Sequence, residues 1–257
     1  MKYTNEICPI IKKSALTATV FDFTVRAPLI SGLAREGQFV TALCDGFTLR
    51  RPISICEIDR ENETLRLVIE SRGGGTNWLC SLPEGSSLDI IGPLGRGFEV
   101  KDTSLKAVFV GGGIGVPPLL QPAGMYGSNA TAILGFRTAS AKILCGDFER
   151  CGADVMLATD DGTEGHHGLV TDLLLSRLDA APCDIIYACG PRPMLGAVAA
   201  IANERSITCK VSMEERMACG VGACLVCACE TLAPNGNKRF AQVCKNGPVF
   251  SSKEVVW

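Results

Sequence analysis

No apolar run in this chain approaches the roughly 18 residues that cross a bilayer as a helix. The longest candidate, Met217 to Cys229, is too short and owes much of its apolar character to cysteine. No membrane attachment is expected. An excess of either charge is also missing, since 25 Lys and Arg against 27 Asp and Glu leave a net charge of −2. Generic nucleic-acid binding needs a basic face to neutralise phosphates, so that class is excluded. The polar start, Met1-Lys2-Tyr3-Thr4-Asn5-Glu6, has no apolar h-region, and no signal peptide is expected. Histidine is scarce: His166 and His167 stand side by side, without an HExxH or His/Cys set around them, and both are expected in a loop. No internal repeat or low-complexity segment interrupts the chain.

What is present reads as globular. The 257 residues are 47% hydrophobic and 20% charged, enough for a sizeable core and one to three domains. The 28 glycines fall in short clusters that suit phosphate loops better than linkers. Fourteen cysteines are the unusual number. In a chain of this length without a secretory start they imply a reducing, cytoplasmic compartment, where clustered cysteine means metal or redox chemistry.

Three stretches differ in pattern. Over residues 1–99, Phe21, Phe23 and Val25 alternate with polar residues, as do Leu65, Leu67 and Ile69. Arg60 to Glu63 make a turn back to Ile53-Ser54-Ile55, and short strands at this spacing predict an antiparallel barrel. Over 100–210, apolar strands at Val108–Val110, Ala132–Leu134, Val155–Leu157 and Ile185–Tyr187 alternate with helices at Leu169–Leu178 and Pro193–Glu204. That order predicts a parallel sheet covered on both faces, with ligands beyond the carboxyl ends of its strands. Residues 211–257 are too few for a core of their own, which makes a metal staple physically reasonable. Asn235-Gly236 within them signals a hairpin turn. The fold expected is therefore α+β and multidomain: barrel, parallel α/β domain, small C-terminal domain.

The strongest chemical signal is Cys219-x4-Cys224-x2-Cys227, followed after 16 residues by Cys244. This is the plant-type spacing for a [2Fe–2S] cluster, in which four thiolates converge on two irons. Gly220 and Gly222 would let backbone N–H groups turn toward the sulfurs. A zinc site or plain buried thiols are the alternatives, and Cys229 could replace Cys227 as a ligand. Gly111-Gly112-Gly113-Ile114-Gly115, between a strand and a helix, would bring N–H groups to a pyrophosphate at the helix start, a tight structural turn being the alternative. Arg51-Pro52-Ile53-Ser54 could present Arg51 to a phosphate and Ser54 to a ring nitrogen; an edge strand with a surface arginine is the plainer reading. Arg72-Gly73-Gly74-Gly75-Thr76, ahead of a helix-like Asn77-Trp78-Leu79, suits another pyrophosphate. Cys189-Gly190-Pro191-Arg192-Pro193-Met194 ends a predicted strand, where function usually lies in such sheets. The other eight cysteines are scattered and expected to act as small buried hydrophobes.

Taken in order, R-P-x-S-I, R-G-G-G-T, G-G-G-I-G-x-x-P and C-G-P-x-P-M resemble the ferredoxin–NADP reductase superfamily. With the cysteine tail, Ile91 to Phe98 and Ser212 to Gly220, nearly the whole chain resembles the electron transfer subunits of B-type dihydroorotate dehydrogenases. The resemblance implies FAD, NAD and a [2Fe–2S] cluster. It would place Arg51, Pro52, Ile53 and Ser54 on FAD, with Ser54 near flavin N5. Val68, Ile69 and Glu70 would pass along the ribityl or adenine side, and Gly75 and Thr76 would hold the pyrophosphate. Gly111, Gly112, Gly113 and Gly115, with Cys189, Gly190, Pro191 and Met194, would frame NAD, Cys189 lying near the nicotinamide. Cys219, Cys224, Cys227 and Cys244 would hold the cluster.

The implied activity passes electrons from the FMN of a catalytic partner subunit through the cluster and FAD to NAD+, in pyrimidine biosynthesis. A heterotetramer with two copies of each subunit is implied. An NAD(P)H-linked flavin/iron–sulfur subunit of a hydrogenase or sulfur reductase is the alternative within the enzyme class, and a zinc-stapled nucleotide-binding module the alternative outside it. Asp160 and Asp161, at a predicted strand end, would repel a 2′-phosphate and favour NAD over NADP, with Arg137 as counter-evidence. The partner is expected to dock near Val221 and Leu225. Trp257 is expected to be a frayed or packed end, a flavin or partner cover being the alternative.

Overall fold

The computed structural model describes residues 3–257, so Met1 and Lys2 of the polar start lie outside the described residues. The first stretch closes into a six-stranded antiparallel barrel. Its elements are β1 (Thr4–Ala15), β2 (Val20–Arg26), α1 (Pro28–Leu33), β3 (Phe39–Ala42), β4 (Arg51–Asp59), β5 (Thr64–Glu70), α2 (Gly74–Ser81) and β6 (Ser87–Leu94), with strand order β1-β2-β5-β4-β3-β6. Period-two alternation carries this folding: Phe23 and Val25 of β2 and Leu65, Leu67 and Ile69 of β5 are buried in the barrel interior. Both short helices are tied down by charge. The Glu6 carboxylate accepts the Leu29 and Ile30 N–H groups at the start of α1, at 3.2 and 3.1 Å. Lys13 Nζ donates to the Cys80 and Leu82 carbonyls at the end of α2, at 2.5 and 2.8 Å.

The second stretch is a twisted sheet with helices on both faces. It runs β7 (Ala107–Gly112), α3 (Pro117–Tyr126), β8 (Ala130–Phe136), α4 (Cys145–Arg150), β9 (Asp154–Thr159), β10 (His166–His167), α5 (Val170–Ala180), β11 (Ile185–Cys189), α6 (Arg192–Glu204) and β12 (Thr208–Ser212). The last stretch adds β13 (Ala228–Leu232), β14 (Lys238–Gln242), α7 (Val243–Asn246) and β15 (Val249–Ser251). Sheet order is β10-β9-β8-β7-β11-β12-β15; the strands pair in parallel except β15, which runs antiparallel to β12. Helices α3 and α4 cover one face through Leu119, Leu120 and Phe148, and α5 and α6 the other through Leu174, Leu195 and Val198. Asn235-Gly236 turns β13 into β14, with Gly236 at φ +80° and its N–H on the Ala233 carbonyl.

The C-terminal stretch solves its small size by sharing a core. Cys227, Cys229, Val243, Cys244 and Phe250 pack with Val108, Val211 and Leu195 of the α/β layer and with Phe39 and Leu94 of the barrel. β12 runs across the boundary expected at 210, and β15 extends the sheet. Two contacts weld the barrel to the α/β layer. Gln121 of α3 accepts from the Ile58 N–H and donates to the Ile58 carbonyl, at 2.9 and 3.2 Å. Arg66 of β5 joins Asp22 and Glu57 of the barrel to Asp147 of α4 at 2.6 to 2.8 Å. Among the described residues no helix is long and apolar enough to cross a membrane.

Two expectations need correction. His166 and His167 form the edge strand β10 rather than a loop, because they pair with Ala158 and Thr159 and His166 Nε2 meets Asp172 at 3.3 Å. Of the scattered cysteines, Cys8, Cys44, Cys56, Cys80 and Cys209 are buried, but Cys145, Cys151 and Cys183 are half-exposed at helix and loop edges.

Candidate functional site

The barrel contributes one lobe. Pro52 and Ser54 of β4 face outward and are exposed, while Ile53 points into the barrel. The same alternation splits β5: Ile69 is barrel core, and Val68 turns out to pack in the core that also holds Val116 and Cys189. Ile53 and Ile69 therefore offer only backbone to a ligand. Arg51 lies against the start of α2, where a β-carbon on Gly75 would collide with its guanidinium and one on Gly74 would sit 2.6 Å from the Phe47 ring. Phe47 stacks under Arg51, 5.0 Å from ring centre to guanidinium carbon, which holds that charge by a cation–π contact. Glycine at 74 and 75 thus leaves room for a backbone cradle beside a fixed cation. The Thr76 hydroxyl is turned inward, accepting the Arg72 and Gly73 N–H groups at 2.9 and 3.1 Å. Glu70 Oε2 is buried and lacks an aligned hydrogen-bond donor, although Arg72 Nε approaches to 2.7 Å.

The sheet contributes the second lobe, at the carboxyl ends of β7 and β11. Register pairs Gly111 with Cys189, and the following loops interlock. A β-carbon on Gly115 would lie 2.5 Å from the Cys189 carbonyl oxygen, and one on Gly112 would lie 2.7 Å from Met194 Sδ. Gly113 has φ +53° with open space beside it, so its backbone stays approachable. The helix start itself is a poorer anion site than expected. Pro117 and Pro118 occupy its first two positions and have no N–H to donate, which leaves the glycine turn as the source of donors. The Cys189 thiol is buried; burial, and then the Glu214 carboxylate, push it up to about 12 against a Ser212 hydrogen bond. It stays a protonated, apolar wall group. At the far strand ends, Asp160 and Asp161 N–H groups bond the Phe136 and Arg137 carbonyls, which brings the two acids beside Arg137. The Asp161 carboxylate is spent on Thr163, whose hydroxyl and N–H hold it below its usual range.

The cysteine loop is the third part. Among the described residues no three His, Cys, Asp or Glu side chains converge as a single ion would require. The four thiols fall into two pairs instead. Cys224 Sγ lies 3.3 Å from Cys219 Sγ, and the Cys244 N–H reaches Cys227 Sγ at 3.5 Å. Two irons with two thiolates each need that division. Gly220 and Gly222, at φ +70° and +85°, wrap the backbone around Cys219. Burial raises the Cys219 thiol, but the N–H groups of Cys224, Val221 and Ala223, with the Cys224 side chain, outweigh it and hold the group at about 6. Such a sulfur is prepared for thiolate ligation. Cys229 sits on β13 opposite Ala241, inside the core.

Several supporting residues carry no motif. Gln242 Nε2 donates to the Gly222 and Cys224 carbonyls and clamps the cysteine loop. Arg192 ties the β11 loop to Glu215 at 3.4 Å and to the Val256 carbonyl at 2.7 Å. Trp257 packs over Gly196 of α6 and donates to the Ser252 carbonyl, a packed end. Leu225 and Val226 of the cysteine loop stand 76% and 55% exposed as an apolar rim, and Phe240 of β14 is 74% exposed. Val221, also expected in that rim, is partly buried against the core.

Known proteins share this arrangement. Residues 214–256 match the family described as the iron-sulfur cluster binding domain of dihydroorotate dehydrogenase B. The chain is 36% identical over 98% of both chains to the dihydroorotate dehydrogenase B (NAD(+)) electron transfer subunit of Geobacillus sp. (strain WCH70). It is 37% identical, again over 98% of both, to the subunit of the same name from Bacillus caldolyticus. Among solved structures, an NADH-dependent reduced ferredoxin-NADP oxidoreductase superimposes with TM-score 0.87 at 29% identity, over 98% of this chain and 90% of that one. The ferredoxin reductase of a carbazole 1,9a-dioxygenase shares the fold, with TM-score 0.67 at 20% identity over 80% of this chain and 67% of that one. With full-length identity above a third and the cysteine domain matched, the chain belongs to the family of dihydroorotate dehydrogenase B (NAD(+)) electron transfer subunits.

Proposed function

We propose that the chain carries electrons from the FMN of a catalytic dihydroorotate dehydrogenase subunit to NAD+, by way of a [2Fe–2S] cluster and FAD. When bound, the flavin supplies the exchange between single electrons and a hydride. The net reaction balances as dihydroorotate plus NAD+ giving orotate, NADH and a proton.

The chain's own residues bind and orient. Arg51, braced by Phe47, neutralises the FAD pyrophosphate over the Gly75 and Thr76 backbone. Pro52 and Ser54 line the flavin, with Ser54 at N5, and Ile53, Val68 and Ile69 frame it. Glu70 accepts a ribityl hydroxyl. Gly111, Gly112, Gly113 and Gly115 take the NAD pyrophosphate, while Cys189, Gly190, Pro191 and Met194 wall the nicotinamide and exclude water. Cys219 and Cys224 hold one iron, Cys227 and Cys244 the other. In this division residues 1–99 serve FAD, 100–210 NAD and 211–257 the cluster.

The observation that carries the reading is that Cys219 with Cys224, and Cys227 with Cys244 of α7, form two close pairs, with Gly220 of their loop seated against Thr41 of the barrel that bears Arg51 and Ser54. The purified holoprotein should absorb as a flavin and an iron–sulfur protein and contain iron rather than zinc. NADH should bleach its flavin band; absence of hydride transfer between them overturns the route. Asp160 and Asp161 beside the adenine ribose favour NAD, and equal kcat/KM for NADH and NADPH would remove that preference. The partner is an FMN-containing chain, two copies with two of this one, and the mass of the co-purified complex tests the stoichiometry.

A further inference from the structure

Thr41 of β3 is 2% exposed, and its hydroxyl has no hydrogen-bond partner. A buried hydroxyl without a partner costs free energy, so a partner is expected where the site is complete. Period-two alternation fixes the direction of the side chain. Val40 points into the barrel, whereas Phe39, on the same face as Thr41, packs in the core that contains Cys227 and Cys244. Thr41 lies directly against the residue after Cys219: a β-carbon on Gly220 would sit 2.8 Å from Thr41 Cγ2. Across the sheet Thr41 pairs with Pro52, in the strand that carries Arg51 and Ser54. Thr41 therefore stands between the flavin strand and the cysteine loop, with its methyl group against Gly220 and its hydroxyl buried and unpaired on the same side chain.

We infer that the Thr41 hydroxyl donates a hydrogen bond to sulfur at the cluster, and so raises its reduction potential. The inference rests on the reading that Cys219, Cys224, Cys227 and Cys244 hold [2Fe–2S]. Reduction adds negative charge to the sulfurs, so a donor there favours the reduced state. Thr41, between β4 and the cysteine loop, would act as a tuning residue that eases electron entry from the partner.

The test compares wild-type holoprotein with Thr41→Val, which keeps the shape and removes the hydroxyl, and Thr41→Ser, which keeps the hydroxyl. Cluster potentials are read by EPR-monitored titration, and exchangeable protons near the reduced cluster by ENDOR in H2O and D2O. Thr41→Val should lower the cluster's reduction equilibrium constant about tenfold, which is about 59 mV for a one-electron couple. It should also lose one exchangeable-proton coupling, with the FAD potential unmoved; Thr41→Ser should restore both. If Thr41→Val fails to load iron, Thr41→Ala takes its place in the same measurement. An iron-replete variant with unchanged potential, or a shift in the FAD potential instead, overturns the assignment. A wild-type protein without iron would defeat the underlying reading, which is a separate result.

Discussion

At the scale of single residues, the arrangement depends on which side chains the pleat leaves available. Pro52 and Ser54 face outward and Ile53 inward, so one motif of adjacent residues divides into contact groups and core. Arg51 is braced by Phe47 and lies on Gly75. Replacing Arg51 with Ala should weaken FAD retention by about 2 kcal/mol, roughly 30-fold in Kd. Fluorescence of FAD released on dilution checks this, and wild-type retention would remove Arg51 from the pyrophosphate site. Arg51, Ser54, Cys189 and the four paired cysteines were legible from motif and spacing. Phe47, Gln242, Arg192 and Thr41 were not. Gln242, Arg192 and Thr41 act through contacts between segments distant in sequence. Arg192 holds the variable position of C-G-P-x-P-M, which does not signal its contact, and Phe47 braces Arg51 through a loop geometry that no periodicity marks.

At the scale of elements, caps and seams set local stability. Asp172 at the third position of α5 accepts the Leu169 N–H at 2.9 Å, and that bond, with His166, holds its carboxyl below the usual range. A lowered carboxyl stabilises the fold above its unfolded value near 4, and the contribution disappears as pH falls through the lowered value. Asp172→Ala should cost about 1 kcal/mol at neutral pH, with the difference from wild type vanishing in acid; thermal melts across pH read it. Gln121 joins α3 to β4 by two hydrogen bonds to Ile58. Gln121→Ala should cost about 1–3 kcal/mol by orphaning the Ile58 N–H and should loosen the barrel against the sheet. Hydrogen exchange at Ile58 measures it, and protection equal to wild type would show the seam held elsewhere. The strands β2, β5, β7, β8, β9 and β11 follow from alternation or apolar runs. The long strand β1 and the edge strand β15 do not, since polar and proline residues mask their period.

At the scale of the whole molecule, three pieces converge on one core. Phe39 and Leu94 of the barrel, Val211 of the sheet and Cys227 and Cys244 of the C-terminal stretch share it, so the cysteine loop is held relative to the other two lobes. The exposed Leu225 and Val226 then form the outward rim of that loop. Exposed apolar surface of this kind marks association. Leu225→Glu should weaken co-elution with the catalytic subunit by about tenfold or more, since desolvating an unpaired carboxylate opposes binding. NADH oxidation by artificial acceptors should be retained. Unchanged assembly would place the partner on another face.

What the amino-acid order determined by itself was local. Glycine and proline placement set the glycine turns, alternation set the strands, and cysteine spacing set the cysteine loop, because each depends on neighbours within a few residues. Tertiary structure decided the rest: which thiols pair, which of Ile53 and Ser54 is reachable, that β15 completes the sheet, and that Thr41 lies under Gly220. Those outcomes depend on the burial of one segment against another, and no short-range pattern encodes that contact.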